Sequence, residues 1–403
     1  MDSYIHRNKE NLERELEVEL HYESIKGNIQ KVKNILDYAT ENKIILELNK
    51  KIFGWYTLLR AIEYNQFEIF QLLIDYANKN KIILKLNEKD NSGWYPLLHA
   101  TSCYHNIEIV QLLMDYANKN KFILELNEKN EYGEYPLLSA TYKNNIEIIK
   151  LLIDYATENK IILELNEKNK YGDYPLYNAT SYNNTEMIQL LIDYANKNKI
   201  ILNLNEKNEY GEYPLLRATQ NNNIEIVQLL IEYANNNKII LKLNEKFEKG
   251  YTPTFEAIQN NNIEMFKLLV EYSIEKEIKL IIDENDIEKI ISAKEYFYCK
   301  LKNISEINSK FIKLINFCKN KNIIEVLFSN SSYFLKIANE FNENKNKDCE
   351  VFEIENELMK IKYKKEGIAK EKIENYFKEK KKIEKDYEVI KIELEKEKKE
   401  KKK

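Results

Sequence analysis

Residues 127–166 read NEKNEYGEYPLLSATYKNNIEIIKLLIDYATENKIILELN, and this stretch decides the fold. Its polar run ends at Gly133, and glycine supplies the positive φ that a tight turn needs. Pro136 suits the first position of a helix, where its missing N–H costs nothing. Asn144 ends this short helix, because asparagine tolerates the left-handed conformation. The first half therefore predicts a turn, a short helix and a second turn.

The second half predicts a longer helix followed by an extended segment. Apolar residues recur at helical spacing at Ile149, Leu152, Ile153 and Ala156. Residues 161–165 then lead, extended, to the next turn. A unit of this size cannot bury its apolar face alone, so neighbouring units must stack to form a core.

The unit recurs along the chain. Glycines lie 39 or 40 residues apart at Gly54, Gly93, Gly133, Gly172, Gly211 and Gly250. All five prolines lie three residues after such a glycine, at Pro96, Pro136, Pro175, Pro214 and Pro253. With only 8 glycines and 5 prolines in 403 residues, the chain is poor in loop residues, which excludes most sandwiches and barrels. Internal periods of this size indicate stacked supersecondary units.

The repeated string Gly-x-Tyr-Pro-Leu-Leu-x-Ala-Thr, seen at 133–141, resembles the Gly-x-Thr-Pro-Leu-His-x-Ala signature of the ankyrin repeat. The strings at 107–113 and 224–230 are similar to its second helix. The resemblance covers about residues 20 to 282. It implies an all-α fold, an ankyrin-type solenoid of stacked helix-turn-helix units with hairpin loops.

Two departures from the family pattern change the expected details. The family period is about 33 residues, and here KNKIIL (197–202) adds about six. We expect these in a longer second helix or a loop on the outer, convex side. The family's threonine before proline survives only as Thr252 and is elsewhere tyrosine, and its histidine is replaced by Leu98, Leu138, Tyr177, Leu216 and Phe255. Aromatic and aliphatic packing is therefore expected in place of Thr–His hydrogen bonding.

The chain divides into three segments. The solenoid spans 10–282, with a partial first unit and about six repeats. Residues 283–345 echo a repeat weakly and form either a degenerate capping repeat or a small separate helical segment. Residues 350–403 are rich in Lys and Glu, which favours a charged C-terminal helix. Apolar residues at spacings of three and four in 373–394 leave open a coiled coil, a lone helix or a disordered tail.

Composition excludes several classes of function. Lys+Arg 62 against Asp+Glu 66 gives a net charge of −4, which argues against a basic nucleic-acid-binding protein. The charged amino terminus and the lack of about 18 uninterrupted apolar residues predict no signal peptide and no membrane span. No C-x-x-C pair occurs among the four cysteines, which fits a reducing compartment. We expect an intracellular protein, cytoplasmic rather than nuclear.

No catalytic constellation stands out. His99, Cys103 and His105 lie close together, but a metal site would want three or four ligands at ordered spacing. No two glycines are close enough for a phosphate-binding loop. We therefore expect no enzyme activity, no cofactor, no metal and no small-molecule substrate.

The resemblance implies a binding surface instead. In ankyrin-like stacks the partner usually lies in the concave groove formed by the first helices and the hairpin tips. The residue after each glycine gives a first row of candidates: Trp55, Trp94, Glu134, Asp173, Glu212 and Tyr251. The residue before each alanine gives a second row: Arg60, His99, Ser139, Asn178, Arg217 and Glu256. The hairpin tips contribute Tyr132, Tyr171 and Tyr210.

These rows predict a non-enzymatic protein–protein interaction scaffold or adaptor. Aromatic residues at one end and carboxylates in the middle suit a partner with an apolar anchor followed by a basic segment. A competing interpretation is that the rows only reflect duplication of nearly identical repeats.

The alternative function is tethering to a polyanion or a membrane surface through the Lys-rich tail at 360–403. Its interleaved glutamates repel phosphate, so nucleic acid is not an expected partner. A coiled coil in this tail would also support weak self-association.

Overall fold

The computed structural model describes residues 2–103, 107–246, 251–283 and 324–327. The chain begins with α1 (Asp2–Lys26) and α2 (Ile29–Glu41). The short helices that follow are α3 (Thr57–Glu63), α5 (Pro96–Ser102), α7 (Pro136–Tyr142), α9 (Pro175–Ser181), α11 (Pro214–Gln220) and α13 (Pro253–Gln259). The long helices are α4 (Phe67–Lys79), α6 (Ile107–Asn120), α8 (Ile146–Glu158), α10 (Thr185–Asn198), α12 (Ile224–Asn236) and α14 (Ile263–Glu275). The strands are β1 (Lys51–Ile52), β2 (Trp55–Tyr56), β3 (Leu280–Asp283) and β4 (Ile324–Leu327).

Asparagine shapes the described turns between short and long helices, and in four of them two successive asparagines serve two purposes, whereas Asn65 is followed by Gln66, which makes no side-chain cap. The first adopts the left-handed conformation, with φ between 52° and 56° at Asn65, Asn144, Asn183, Asn222 and Asn261. The next caps the long helix: Asn145 Oδ1 accepts a hydrogen bond from the Ile148 amide at 3.0 Å. The left-handed residue ends one helix and the cap satisfies a free amide of the next.

The chain forms two compact units, Met1–Ala218 with Gln228–Ile239, and Thr219–Val227 with Ile240–Lys403. In the first unit α3, α5, α7 and α9 pack side by side, and each of them packs on the long helix of its own repeat. Apolar residues such as Leu137, Ile149 and Leu152 are fully buried between the two helix layers. In the second unit α13 packs on α14 and on β3, which pairs in parallel with β4.

The tyrosines before proline do more than pack. Tyr135 is fully buried, and its hydroxyl donates a hydrogen bond to the Glu167 carbonyl of the next repeat at 3.0 Å. Tyr95 and Tyr174 make the equivalent bonds to the carbonyls of Glu128 and Glu206. A buried hydroxyl needs a partner, so the expectation of packing in place of hydrogen bonding was incomplete. Each tyrosine links two repeats by both means.

The additional residues of the repeat form an extended segment after each long helix. Lys160, with φ 58°, turns the chain out of α8. In the segment that follows, Leu163 and Leu165 are buried, whereas Ile162 is exposed. The Leu163 amide donates to the Tyr194 hydroxyl of the next long helix at 3.0 Å. Each segment is thereby attached to the following repeat.

A series of asparagines, here called the asparagine ladder, connects successive extended segments. Asn127 Nδ2 donates to the Ile162 carbonyl at 2.8 Å, and Asn127 Oδ1 accepts from the Glu164 amide at 3.1 Å. Asn49, Asn87 and Asn166 make the same pair of bonds to the repeat that follows each of them. A side-chain amide thus does what a neighbouring β-strand would do, and it holds the segments in register.

Some expectations concern residues that are not described. Gly250 and His105 lie outside the described residues, as does the predicted charged helix at 350–403. Of the segment 283–345, only residues 283 and 324–327 are described. No helix in the described part of the chain combines the length and apolarity needed to span a lipid bilayer.

Candidate functional site

Four successive hairpin tips, at Gly93, Gly133, Gly172 and Gly211, are held by the side chain three residues before the glycine. Asn130 Oδ1 accepts hydrogen bonds from the amides of Tyr132 and Glu134, both at 2.9 Å. The same arrangement recurs at Asp90, Asn169 and Asn208. Trp94, Glu134, Asp173 and Glu212, four members of the first row of candidates, are therefore placed at the same point of their repeats.

The two central carboxylates of this row are bound by the next repeat. Asn169 Nδ2 donates to Glu134 Oε1 at 2.7 Å, and Asn208 Nδ2 donates to Asp173 Oδ1 at 3.2 Å. Burial raises the pKa of both carboxyl groups above their usual range, and their mutual repulsion raises the pKa of Glu134 further. The hydrogen bonds from Asn169 and Asn208 therefore offset only part of the cost of burying these two carboxylates.

A groove of about 610 Å³ opens beside these carboxylates. It is lined by six of the residues that the sequence singled out: Trp94, Glu134, Ser139, Tyr171, Asp173 and Tyr210. We call it the Trp94–Tyr210 groove. It presents aromatic rings around two half-buried carboxylates, an arrangement suited to apolar groups and to cations.

Four further residues line the groove and were missed by sequence reasoning: Ser102, Tyr142, Lys143 and Asn169. Asn169 had a usable signal, since a side-chain acceptor recurs three residues before each glycine from Asp90 to Asn208. Tyr142 and Lys143 had none, because the residues at the end of the short helix differ between repeats.

The second row of candidates lies mostly in the interior. His99, Ser139 and Asn178 are only 8%, 4% and 3% exposed, and Glu256 is also buried. The cause is their position beneath the first row: the rings of Trp94 and His99 stack with centroids 4.6 Å apart. Burial lowers the pKa of His99 below its usual value, which favours a neutral imidazole. This corrects the expectation of an accessible second row, although Ser139 still lines the groove.

The remaining candidates do not line the Trp94–Tyr210 groove. The Arg60 guanidinium lies 3.6 Å from the centre of the Trp55 ring and pairs with Glu63. Glu212 accepts hydrogen bonds from the Tyr177 hydroxyl and from Arg217. Tyr132 is exposed at its hairpin tip, and Tyr251, in the second unit, stacks on Phe255.

Trp94 occupies the place that a carboxylate takes in the next two repeats. Asn130 Nδ2, the counterpart of the amides that bind Glu134 and Asp173, consequently has no hydrogen-bond partner among the described residues. The Nε2 atom of His99 also lacks one there. The Trp94 end of the groove is therefore apolar at its surface, while its carboxylate end is polar. In the described ranges, no three His, Cys, Asp or Glu side chains are placed to hold a metal ion.

The family model for ankyrin repeats (3 copies) matches the chain over residues 20–123, 120–201 and 198–279. Among solved structures, the ankyrin repeat domain of Bcl-3, a member of the IkappaB protein family, is similar to this chain. It is 19% identical with a TM-score of 0.41, and the match covers 58% of this chain and 91% of that one. No curated protein matches.

Proposed function

The chain belongs to the ankyrin repeat family, and from that premise we propose that it is a non-enzymatic scaffold or adaptor that holds a partner protein in the Trp94–Tyr210 groove. Ankyrin repeats generally mediate protein–protein interaction. The observation that carries the proposal is that six candidate residues from four successive repeats line one groove.

The groove favours a partner segment with an apolar side chain followed by a basic one. Trp94 offers a large ring at one end, and buried aromatic anchors dominate the energetics of most interfaces. Glu134 and Asp173 offer two carboxylates whose pKa values burial raises, although Asn169 and Asn208 donate hydrogen bonds to them. A Lys or Arg side chain of the partner placed between them would add to the positive charge that Lys143 brings to the groove.

A random peptide library displayed on phage and selected on the full chain tests the proposal. We expect enriched peptides to carry an apolar residue followed by Lys or Arg. The tightest peptide, labelled with fluorescein, then serves as the probe in anisotropy titrations. Trp94→Ala, and separately the pair Glu134→Gln with Asp173→Asn, should each weaken its binding at least about tenfold.

The matched control is Glu147→Gln with Asp154→Asn, which removes the same two charges from exposed positions of α8. This pair should leave the affinity nearly unchanged, apart from long-range charge effects that salt screens. Enrichment of acidic peptides, or groove variants that stay folded and bind as tightly as the original chain, would contradict the proposal.

A further inference from the structure

The first unit carries one exposed isoleucine in each of five successive extended segments. Their exposed fractions lie between 51% and 62%, at Ile45, Ile83, Ile123, Ile162 and Ile201. We call this set the isoleucine row. None of its members lines the Trp94–Tyr210 groove. Contiguous exposed apolar surface of this kind marks an interaction site more often than scattered exposed side chains do.

The row is held in register by the asparagine ladder. The ladder asparagine of each repeat donates to the carbonyl of the next exposed isoleucine, as Asn127 does to Ile162 at 2.8 Å and Asn166 to Ile201 at 2.8 Å. The buried leucines alternate with exposed residues after each isoleucine, so the residue two after it shares its outward face, and the residue two before it, at the turn out of the helix, is exposed as well. The surface therefore has three parallel columns.

The column before the row consists only of lysine. Lys43, Lys81, Lys121, Lys160 and Lys199 are exposed, with φ between 54° and 59°. Glycine is the usual residue in this left-handed position after a helix, since it adopts the conformation without strain. Every one of these repeats nevertheless has lysine there. The positive charge of lysine is thus present at a backbone position where glycine would fit with less strain.

The column after the row is mostly acidic. It consists of Glu47, Lys85, Glu125, Glu164 and Asn203. Within the described residues, Lys121, Lys160, Glu125 and Glu164 take part in no ion pair. A lysine column and a mostly acidic column thus flank an apolar row, and the charges of these four side chains are available to a partner.

We propose that the isoleucine row is a dimerisation surface for a second copy of this chain, with the twofold axis running along the row. Such an axis maps the lysine column of one copy onto the acidic column of the other. Lys121 then faces Glu125 of the second copy, and Lys160 faces its Glu164, while the isoleucines meet in the middle. Lys81 of one copy faces Lys85 of the other, so this pair of like charges is unfavourable.

An anionic lipid surface fits the columns less well. The lysines would attract its headgroups, but Glu47, Glu125 and Glu164 on the same face would be repelled. A second copy instead pairs each of these three glutamates with a lysine. The row is narrow compared with the roughly 800 Å² per partner of a stable complex, so the dimer should dissociate in the micromolar range.

Sedimentation velocity of the full chain, from about 1 to 200 µM, tests the surface. We expect a concentration-dependent dimer. The triple variant Ile83→Ser, Ile123→Ser, Ile162→Ser should raise its dissociation constant at least about tenfold. Ile29→Ser, which alters another exposed isoleucine at the start of α2, should leave it unchanged. A chain that stays monomeric, or a dimer that the triple variant leaves intact, overturns the proposal.

Charge reversal tests the axis. Lys121→Glu with Lys160→Glu should weaken the dimer, and Glu125→Lys with Glu164→Lys should weaken it as well. Glutamate is compatible with the left-handed position, since Glu277 occupies it with φ 60°. Mixing the two variants should restore association, because the facing pairs at positions 121 and 125 and at 160 and 164 are then oppositely charged. Failure to restore it overturns the proposed axis.

Vesicles of phosphatidylcholine with and without phosphatidylserine provide the last arm. One outcome would overturn the proposed dimer: the chain stays monomeric, binds the anionic vesicles, and loses this binding in the isoleucine triple variant. A lipid surface would then be the occupant of the row.

Discussion

The Nδ2 atom of Asn169 donates a hydrogen bond to Glu134 Oε1 at 2.7 Å, so the hairpin tip of one repeat holds the groove carboxylate of the repeat before it. Asn208 binds Asp173 in the same way. The groove is therefore a product of stacking: no single repeat contains both the carboxylate and the amide that positions it.

The raised pKa of Glu134 predicts a pH-dependent contribution to stability. A carboxyl group whose folded pKa lies above its unfolded value favours the folded state below the unfolded pKa, and this contribution is lost as pH rises through the folded pKa. The stability of the original chain relative to Glu134→Gln is the difference between their free energies of unfolding. This difference should be smaller at about pH 7.5 than at about pH 4. Urea denaturation at both pH values measures it.

Glutamine keeps an oxygen that can accept from Asn169, so the variant should fold. Glu147→Gln serves as its control, because it makes the same substitution at an exposed position of α8. A difference for Glu134→Gln that is independent of pH would contradict the assigned cause.

Tyr135→Phe should destabilise the chain by about 1–2 kcal/mol, because the Glu167 carbonyl loses its hydrogen bond in a buried place. Thermal or urea unfolding followed by circular dichroism measures the loss. Tyr171→Phe, at a half-exposed hairpin tip, is the matched control and should cost close to nothing. Equal effects of the two changes would show that the inter-repeat bond contributes little.

The asparagine ladder should be sensitive to the chemistry of its two atoms. Asn127→Ala removes both bonds to the next segment and should cost about 1–2 kcal/mol. Asn127→Asp keeps the acceptor but places a carboxylate oxygen next to the Ile162 carbonyl oxygen, and the two repel each other. The loss of stability in this variant should therefore be smaller at acidic pH, where the introduced carboxylate is protonated. The exposed Asn91 is the control position for alanine. An aspartate variant with no recovery in acid would argue against the ladder geometry.

Alanine substitutions at two glycines distinguish the cost of backbone strain from the cost of a steric clash. At Gly133, with φ 78°, an added Cβ would lie 2.8 Å from the Asn169 Cα, whereas at Gly54, with φ 88°, it would meet nothing within 4 Å. Gly54→Ala should cost about 1–2 kcal/mol from the left-handed conformation alone. Gly133→Ala should cost clearly more, because the neighbouring hairpin must also move. Denaturant midpoints of the two variants measure these losses of stability. Similar losses would mean that the neighbouring hairpin can move away from the added Cβ at little cost.

Much of the architecture could be read from local chemistry. The placement of Gly133, Pro136 and Asn144 predicted where helices begin and end, since each depends only on the conformation of its own residue. Six groove residues were also predicted, because recurrence once per repeat places equivalent side chains at equivalent points.

The sequence by itself determined the repeat, its helices and its turns, because these follow from backbone preferences and apolar spacing within about forty residues. Only the tertiary structure decided which polar groups meet across repeats. The bond from Tyr135 to Glu167 and the pairing of Asn169 with Glu134 join residues that belong to successive repeats. Such contacts depend on how one repeat stacks on the next, which no local preference specifies.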